Sequence, residues 1–344
     1  MPFGIMTNHI QNLWSSLVPN HPNITTIQPI SESRYHAVWK VHTSDQQLFA
    51  VKHHLFAPLT QGKPYDLIDV DNHVTSLLLA DGVSVPRIIA THPERGLTIY
   101  EWSGEHTLDD LCQQHTHGTV ANKVIETILT LESSFQKHAP QLYARVAPGS
   151  TEQETLTSFT EMTIALTDIL PDLIHTLTNQ TSPTLQTHWQ NILHGMNDAP
   201  MSLGPTDYNA RNIVLSSAHQ PHILELAKIG YDWPERRLIQ YTTSLGAHLP
   251  TGRMIGLITP QIAHTYAQKS SKHHPASAGQ ILTTLDRHHL IFYLFAALQC
   301  LQASTDPHPP WQNTNARLHD IQTALSIRFS NCKSTGSIRH LFQA

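Results

Sequence analysis

The chain has 344 residues, with 21 Lys and Arg against 26 Asp and Glu, for a net charge of −5 with histidine neutral. No basic block stands out, which argues against avid binding of nucleic acid or another polyanion but leaves room for one small phosphate ligand. At 40% hydrophobic and 14% charged residues the composition is globular, and the length suits two lobes of an enzyme-sized unit.

Cys112, Cys300 and Cys332 are far apart and odd in number. Neither a disulfide framework nor a zinc ribbon is expected, and a reducing, cytoplasmic setting is the simplest reading. The N-terminal stretch has neither a basic start nor a long apolar core, so no secretory signal is expected. The most apolar run, 290–301, falls well short of the roughly 20 residues that span a bilayer and reads as a buried helix, so no membrane insertion is expected. Histidine is unusually common, at 26, exceeding Lys plus Arg. No HExxH pattern accompanies it, and each histidine is read as a surface or satisfied core residue. Together they should carry the net charge positive in mildly acidic medium.

In chain order, residues 7–17 place Ile10, Leu13, Trp14 and Leu17 at helical spacing. The texture changes near Ile24. "YHAVWKVHT" alternates, the polar turn "TSDQQ" follows, and "LFAVKHH" completes a predicted β-hairpin. "DNHVTSLLLADGVSVPRII" predicts a helix ending near Gly82 and an extended piece led by Pro86; "GLTIYEWSGE" predicts a short strand closed by Ser103 and Gly104. Beyond Thr107, "LDDLCQQ", "VANKVIETILTLESSFQKH", "ETLTSFTEMTIALTDIL" and "SPTLQTHWQNILHGM" carry apolar residues at helical steps. "LGPTDYNARNIVL" (203–215) and "HILEL" (222–226) interrupt them as two short strands around a loop. Helices resume at Glu235, with breaks at "LPTG", "SSKHHPASAG" and "STDPHPP". The expected organisation is a strand-rich front, 1–103, and a helical back, 104–344, with a cleft between them.

Lys52 ends an apolar strand, a costly place for an ammonium unless an anion meets it. Asp71 on the next helix is the expected partner, with Asp69 as the other candidate. Asp207 and Asn212 share one loop, and Glu225 ends the strand that follows. These residues supply one cation for phosphate oxygens, one lone carboxylate, and an amide and a carboxylate able to share a hard metal ion.

On these segments the sequence resembles the kinase-like phosphotransferases, which include aminoglycoside and choline kinases. "PTDYNARNIVL" matches that family's Asp-x4-Asn catalytic loop and its apolar continuation. "HILELAKIGYDWPERRLIQY" is similar to its strand, metal segment (222–234) and Gly-aromatic-Asp-x-Pro turn. "LFAVK" resembles the nucleotide-lysine strand, "DNHVTSLLLADGVSVPRII" the helix with its Gly-x-x-Val-Pro exit, and "TIYEWSGEHTLDDL" the inter-lobe hinge. The resemblance implies an α+β, bilobal protein-kinase-like fold with a small β-rich N-lobe and a larger helical C-lobe. It implies ATP and Mg2+ as cofactors and a small-molecule hydroxyl acceptor. Asp207 would orient the attacking hydroxyl or accept its proton, Asn212 and Glu225 would hold the metal, and Lys52, steadied by Asp71, would clamp the phosphates. Backbone groups near Glu101 and Trp102 would meet the adenine.

The chain also departs from the family pattern. Pro205-Thr206 replaces the usual His-Gly before the catalytic aspartate, Glu225 replaces the metal-binding aspartate, and Asp71 replaces the helix glutamate. "ISESRYHAVW" has no glycine where a phosphate-covering turn normally has several. These changes raise a second reading, a nucleotide-binding pseudokinase or scaffold. Trp233 and Pro234 are read as bracing the turn after the metal segment, with a substrate-facing role as the alternative; Arg236 and Arg237 could bind an acidic substrate but are read as ordinary surface arginines at a helix start.

Overall fold

Alternating apolar and polar side chains build the front of the molecule. Strands β1 (Ile24–Glu32), β2 (His36–Thr43), β3 (Leu48–His54), β4 (Ile88–His92) and β5 (Leu97–Glu101) form one antiparallel sheet in the order β1-β2-β3-β5-β4. A computed structural model describes the chain apart from residues 1, 2, 19–22, 34, 117, 119, 247, 248, 250, 251, 305–313 and 344, and apart from the side chains of 3–6. The break expected at "STDPHPP" therefore lies almost wholly outside the described residues, and that at "LPTG" partly so.

Side chains directly opposite one another in a sheet share a face, and successive ones alternate. Ala37, Trp39, Val41, Phe49 and Val51 fill one face and pack against Ile10, Trp14 and Val18, on and just after helix α1 (Phe3–Leu17). The register pairs His36 with His54, Val38 with Lys52 and Lys40 with Ala50. These six therefore lie on the other face, which carries most of the sheet's ionisable groups. A single turn α2 (Ala57–Thr60) leads to α3 (Leu67–Ala80). Asp66 caps α3 by accepting from the N–H groups of Ile68 at 3.1 Å and Asp69 at 3.3 Å, so the helix begins ahead of the expected "DNHV".

The back is helical: α4 (Leu108–Gln113), α5 (Ala121–Leu142), α6 (Glu152–Thr178), α7 (Leu185–Asn197), α8 (Pro234–Tyr241), α9 (Pro260–Ser270), α10 (Ala278–Ser304), α11 (Thr314–Ser326) and α12 (Lys333–His340). Short strands cross it. β6 (His106–Thr107), β8 (Ile213–Leu215) and β9 (Pro221–Ile223) form a three-stranded sheet, and β7 (Ser202–Pro205) pairs with β10 (Ile229–Asp232). A minor pair, β11 (Thr243–Ser244) and β12 (Ile255–Gly256), lies further on.

The sequence pattern misses β10 and overextends "HILEL". That strand stops at Ile223 because Glu225 adopts φ +63°, a left-handed conformation that ends pairing. One apolar core joins α3 and α5 to the short strands, and a second lies among α6, α7 and α10. As expected, 290–301 falls inside α10 and is mostly buried. Among the described residues no helix is long and apolar enough to cross a membrane, and the three cysteines are free.

Candidate active site

Asp207 and Asn212 sit on a loop that closes on itself. The Asn212 side-chain amide donates to the carbonyl of Asp207 at 2.7 Å. Asn209 works in two directions: its side-chain oxygen accepts from the N–H of Arg211 at 3.0 Å, and its NH2 donates to Asp207 Oδ1 at 3.0 Å. Asparagine is well suited to such turns because its short amide imitates the backbone. Asn209 is a positioning residue that the motif alone does not reveal, although its place ahead of a one-turn 3-10 helix is a helix-cap signature.

The backbone joins this loop to Glu225. Leu224 N–H donates to the carbonyl of Asn212 at 2.8 Å, so the amide and the carboxylate flank one β-bridge. With its NH2 directed to the Asp207 carbonyl, Asn212 has its side-chain oxygen left to offer. Two hard oxygen donors of this kind fit magnesium, which takes one or two protein groups and completes its shell with phosphate and water. Among the described residues no cluster of three His, Cys, Asp or Glu side chains forms a metal cage of its own.

Lys52 does not take its expected partner. Its Nζ donates to Glu225 Oε1 at 2.5 Å, across from β3 to the segment after β9. Burial opposes ionisation of Glu225, but the charge and hydrogen bond of Lys52 outweigh it and hold the carboxyl below its usual range. Asp207 is displaced upward, first by desolvation and then by the negative charge of Glu225, while Lys52 pulls it back. Lys52, Asp207, Asn212 and Glu225 thus converge.

Asp71 is nearby but engaged elsewhere. It is 2% exposed and accepts from the Tyr100 hydroxyl, and its Oδ2 lies 3.9 Å from His54 Nε2. Burial raises its carboxyl to about 6, only partly offset by Tyr100 and Lys52. Burial, then Lys52, push His54 down to about 3, so the imidazole is neutral; among the described residues its buried Nε2 has no hydrogen-bond partner. Asp69, the alternative, pairs with Arg145 at 3.0 Å. The steadying role expected of either aspartate is therefore not met by an ion pair with Lys52.

Glu101 and Trp102 occupy the connection between the parts. Their N–H groups donate to Arg87 O at 2.9 Å and Leu48 O at 3.2 Å, so neither amide is spare for a base. The Trp102 indole donates to Glu105 Oε1 at 3.2 Å, and Lys40, itself bonded to Glu105, stands 4.7 Å from the ring centroid. Gly104 follows at a position where a Cβ would come 2.0 Å from Leu215 O, so this crossing presses on β8, the strand leaving the Asp207 loop.

Below the loop, Asp232 accepts from the hydroxyl of Tyr208, from Trp233 N–H at 2.8 Å and from Arg236 at 3.1 Å. It ties the Asp207 loop to α8. Trp233 is fully buried, in keeping with a bracing role, whereas Arg237 corrects the surface reading. It is completely buried and forms a bidentate pair with Glu132 at 2.7 and 2.8 Å.

No protein-family model matches the sequence, and no curated protein sequence matches it. Solved structures do. The chain is similar to a macrolide 2'-phosphotransferase from Brachybacterium faecium, with a TM-score of 0.52 at 10% identity over 90% of this chain and 98% of that one. The fold is that of the kinase-like phosphotransferases. Two further structures sit below a TM-score of 0.5. A choline kinase from Streptococcus pneumoniae has 0.48 at 13% identity, covering 97% and 99% of the two chains. A choline/ethanolamine kinase family protein from Mesorhizobium loti has 0.49 at 12%, covering 98% and 99%. The assignment of a kinase-like fold, β-rich in front and helical behind, rests on the first.

Proposed function

We propose that the protein is an ATP-dependent phosphotransferase acting on a hydroxyl group of a small molecule. The observation that carries this reading is the meeting of Lys52, Asp207, Asn212 and Glu225, from three separate segments of the sequence, at one place. Magnesium-bound ATP, when present, supplies the phosphoryl group and neutralises its charge. Lys52 would meet phosphate oxygens, and Glu225 with the Asn212 amide oxygen would hold the metal. Asp207, whose raised proton affinity suits a base, takes the hydroxyl proton as the acceptor oxygen bonds to phosphorus and the bridging oxygen departs with ADP. The residues from 104 onward would supply the acceptor site.

A cavity of about 340 Å³ is joined to the Asp207 loop by two contacts, Arg236 to Asp232 and Tyr208 to Asp232. Phe159, Phe292, Phe295, Gln240, Arg236 and Arg317 line it, and none of its lining residues is acidic. Such a surface favours an uncharged or anionic alcohol with an apolar body over an amino sugar or a quaternary amine.

The test is magnesium-dependent ATP turnover, alone and with panels of neutral, acidic and basic alcohols. Asp207→Asn is expected to lower turnover by about a hundredfold or more. Unchanged turnover in that variant contradicts the reading. A second reading has its own support, because Glu225 holds the ammonium that phosphates need and sits at φ +63°. A nucleotide-binding protein without transfer would bind Mg·ATP and turn over none.

A further inference from the structure

The described amides of the turn between β1 and β2 are already committed. Ser33 N–H donates to His36 O at 2.8 Å, and the N–H groups of Tyr35 and His36 both donate to Ser33 Oγ at 3.1 Å. A phosphate-covering turn works by offering successive backbone N–H groups to an anion. Here the Tyr35 and His36 amides are already committed, in a turn with no glycine.

The same turn places a side chain where its amides fail. His36 opposes His54 in the register and stands two residues along β2 from Val38, which opposes Lys52. It therefore shares the ionisable face of the sheet with Lys52. Its Nδ1 lies 3.4 Å from Ser33 Oγ, and among the described residues nothing hydrogen-bonds its Nε2. The half-exposed imidazole feels desolvation first, then the charges of Lys52, Glu225 and Asp207, so it lies within the field of the whole charged cluster.

We propose that His36 is a phosphate-positioning residue, donating from Nε2 to the outer phosphates of a nucleotide held at Lys52, in place of the turn amides. The inference rests on the phosphotransferase reading. A neutral imidazole suffices, because one ring nitrogen always carries hydrogen, and Nε2 carries it in the tautomer whose Nδ1 accepts from the Ser33 hydroxyl.

The experiment measures binding of Mg·ATP, inorganic tripolyphosphate and adenosine to the full chain, in the wild type, His36→Ala and His36→Gln. In His36→Ala, ATP and tripolyphosphate are expected to weaken about tenfold to a hundredfold, the range for a hydrogen bond to a charged group. Adenosine affinity should stay unchanged, which also reports a folded protein, and His36→Gln should recover part of the loss through its own N–H. Wild-type tripolyphosphate affinity in His36→Ala overturns the proposal, as does an equal loss for adenosine. A wild-type protein that binds none of the three probes removes the phosphotransferase reading and the role of His36 together. ATP binding that is indifferent to His36 removes only the latter.

Discussion

Two ion pairs, the fully buried Asp286–Arg339 among the C-terminal helices and the part-buried Lys52–Glu225 between the sheet and the Asp207 loop, solve the same electrostatic problem to different degrees. Asp286 and Arg339 are both fully buried. Asp286 Oδ1 accepts from Arg339 and from Phe329 N–H at 3.3 Å, and its Oδ2 accepts from Ser330 at 2.9 Å and Thr335 at 2.5 Å. The Arg339 guanidinium reaches the carbonyls of Leu325 and Asp286, each at 3.0 Å, and His289 Nδ1 at 3.3 Å. Around Lys52 the accounts stay open. Glu225 is in a left-handed conformation, Asp71 is a buried acid with a raised proton affinity, and among the described residues the buried His54 Nε2 has no hydrogen-bond partner. A fully satisfied network fixes structure, whereas one left strained and under-satisfied marks a place where something else is meant to bind.

The contrast can be broken at either end, and the larger effect is expected in the helices. Asp286→Ala strands a buried guanidinium and should destabilise the fold by about 3–5 kcal/mol in denaturant unfolding. A loss under about 1 kcal/mol would mean the network is not the structural element described. The smaller effect has the opposite sign. Burial raises Asp71 from 3.8 to about 6, so the folded state holds this proton more tightly than the unfolded chain. The group favours folding below pH 3.8, and that advantage disappears as pH rises through about 6. Asp71→Asn removes the charge, keeps an acceptor for Tyr100 and offers a donor to His54 Nε2. It should therefore stabilise the protein at pH 7.5 by about 1–3 kcal/mol, with the gain fading towards pH 4. Destabilisation at pH 7.5 would show that the Asp71 charge is in use, with Lys52 the obvious partner.

The parts of this site legible in sequence are those set by local pattern. "LFAVK" places Lys52 on the inner face of a strand because the alternation of its neighbours fixes the register. Asp-x4-Asn positions Asp207 and Asn212 because a five-residue loop has few ways to close. The pairings were not legible. Lys52 meets Glu225 instead of Asp71 because Tyr100, a neighbour only through the β3–β5 register, takes the aspartate. The role of Ser33 in silencing the turn amides, and the burial of Arg237 against Glu132, likewise depend on contacts between distant residues. Such contacts leave no periodic trace in the chain.

The central claim is that Lys52, Asp207, Asn212 and Glu225 surround one triphosphate. A crystal structure with magnesium and a non-hydrolysable ATP analogue tests it most directly. The triphosphate is expected among these four side chains, with the 2.5 Å Lys52–Glu225 contact opened, the ammonium on phosphate oxygens and the carboxylate on the metal. A nucleotide bound elsewhere, or one that leaves that pair closed, would contradict it.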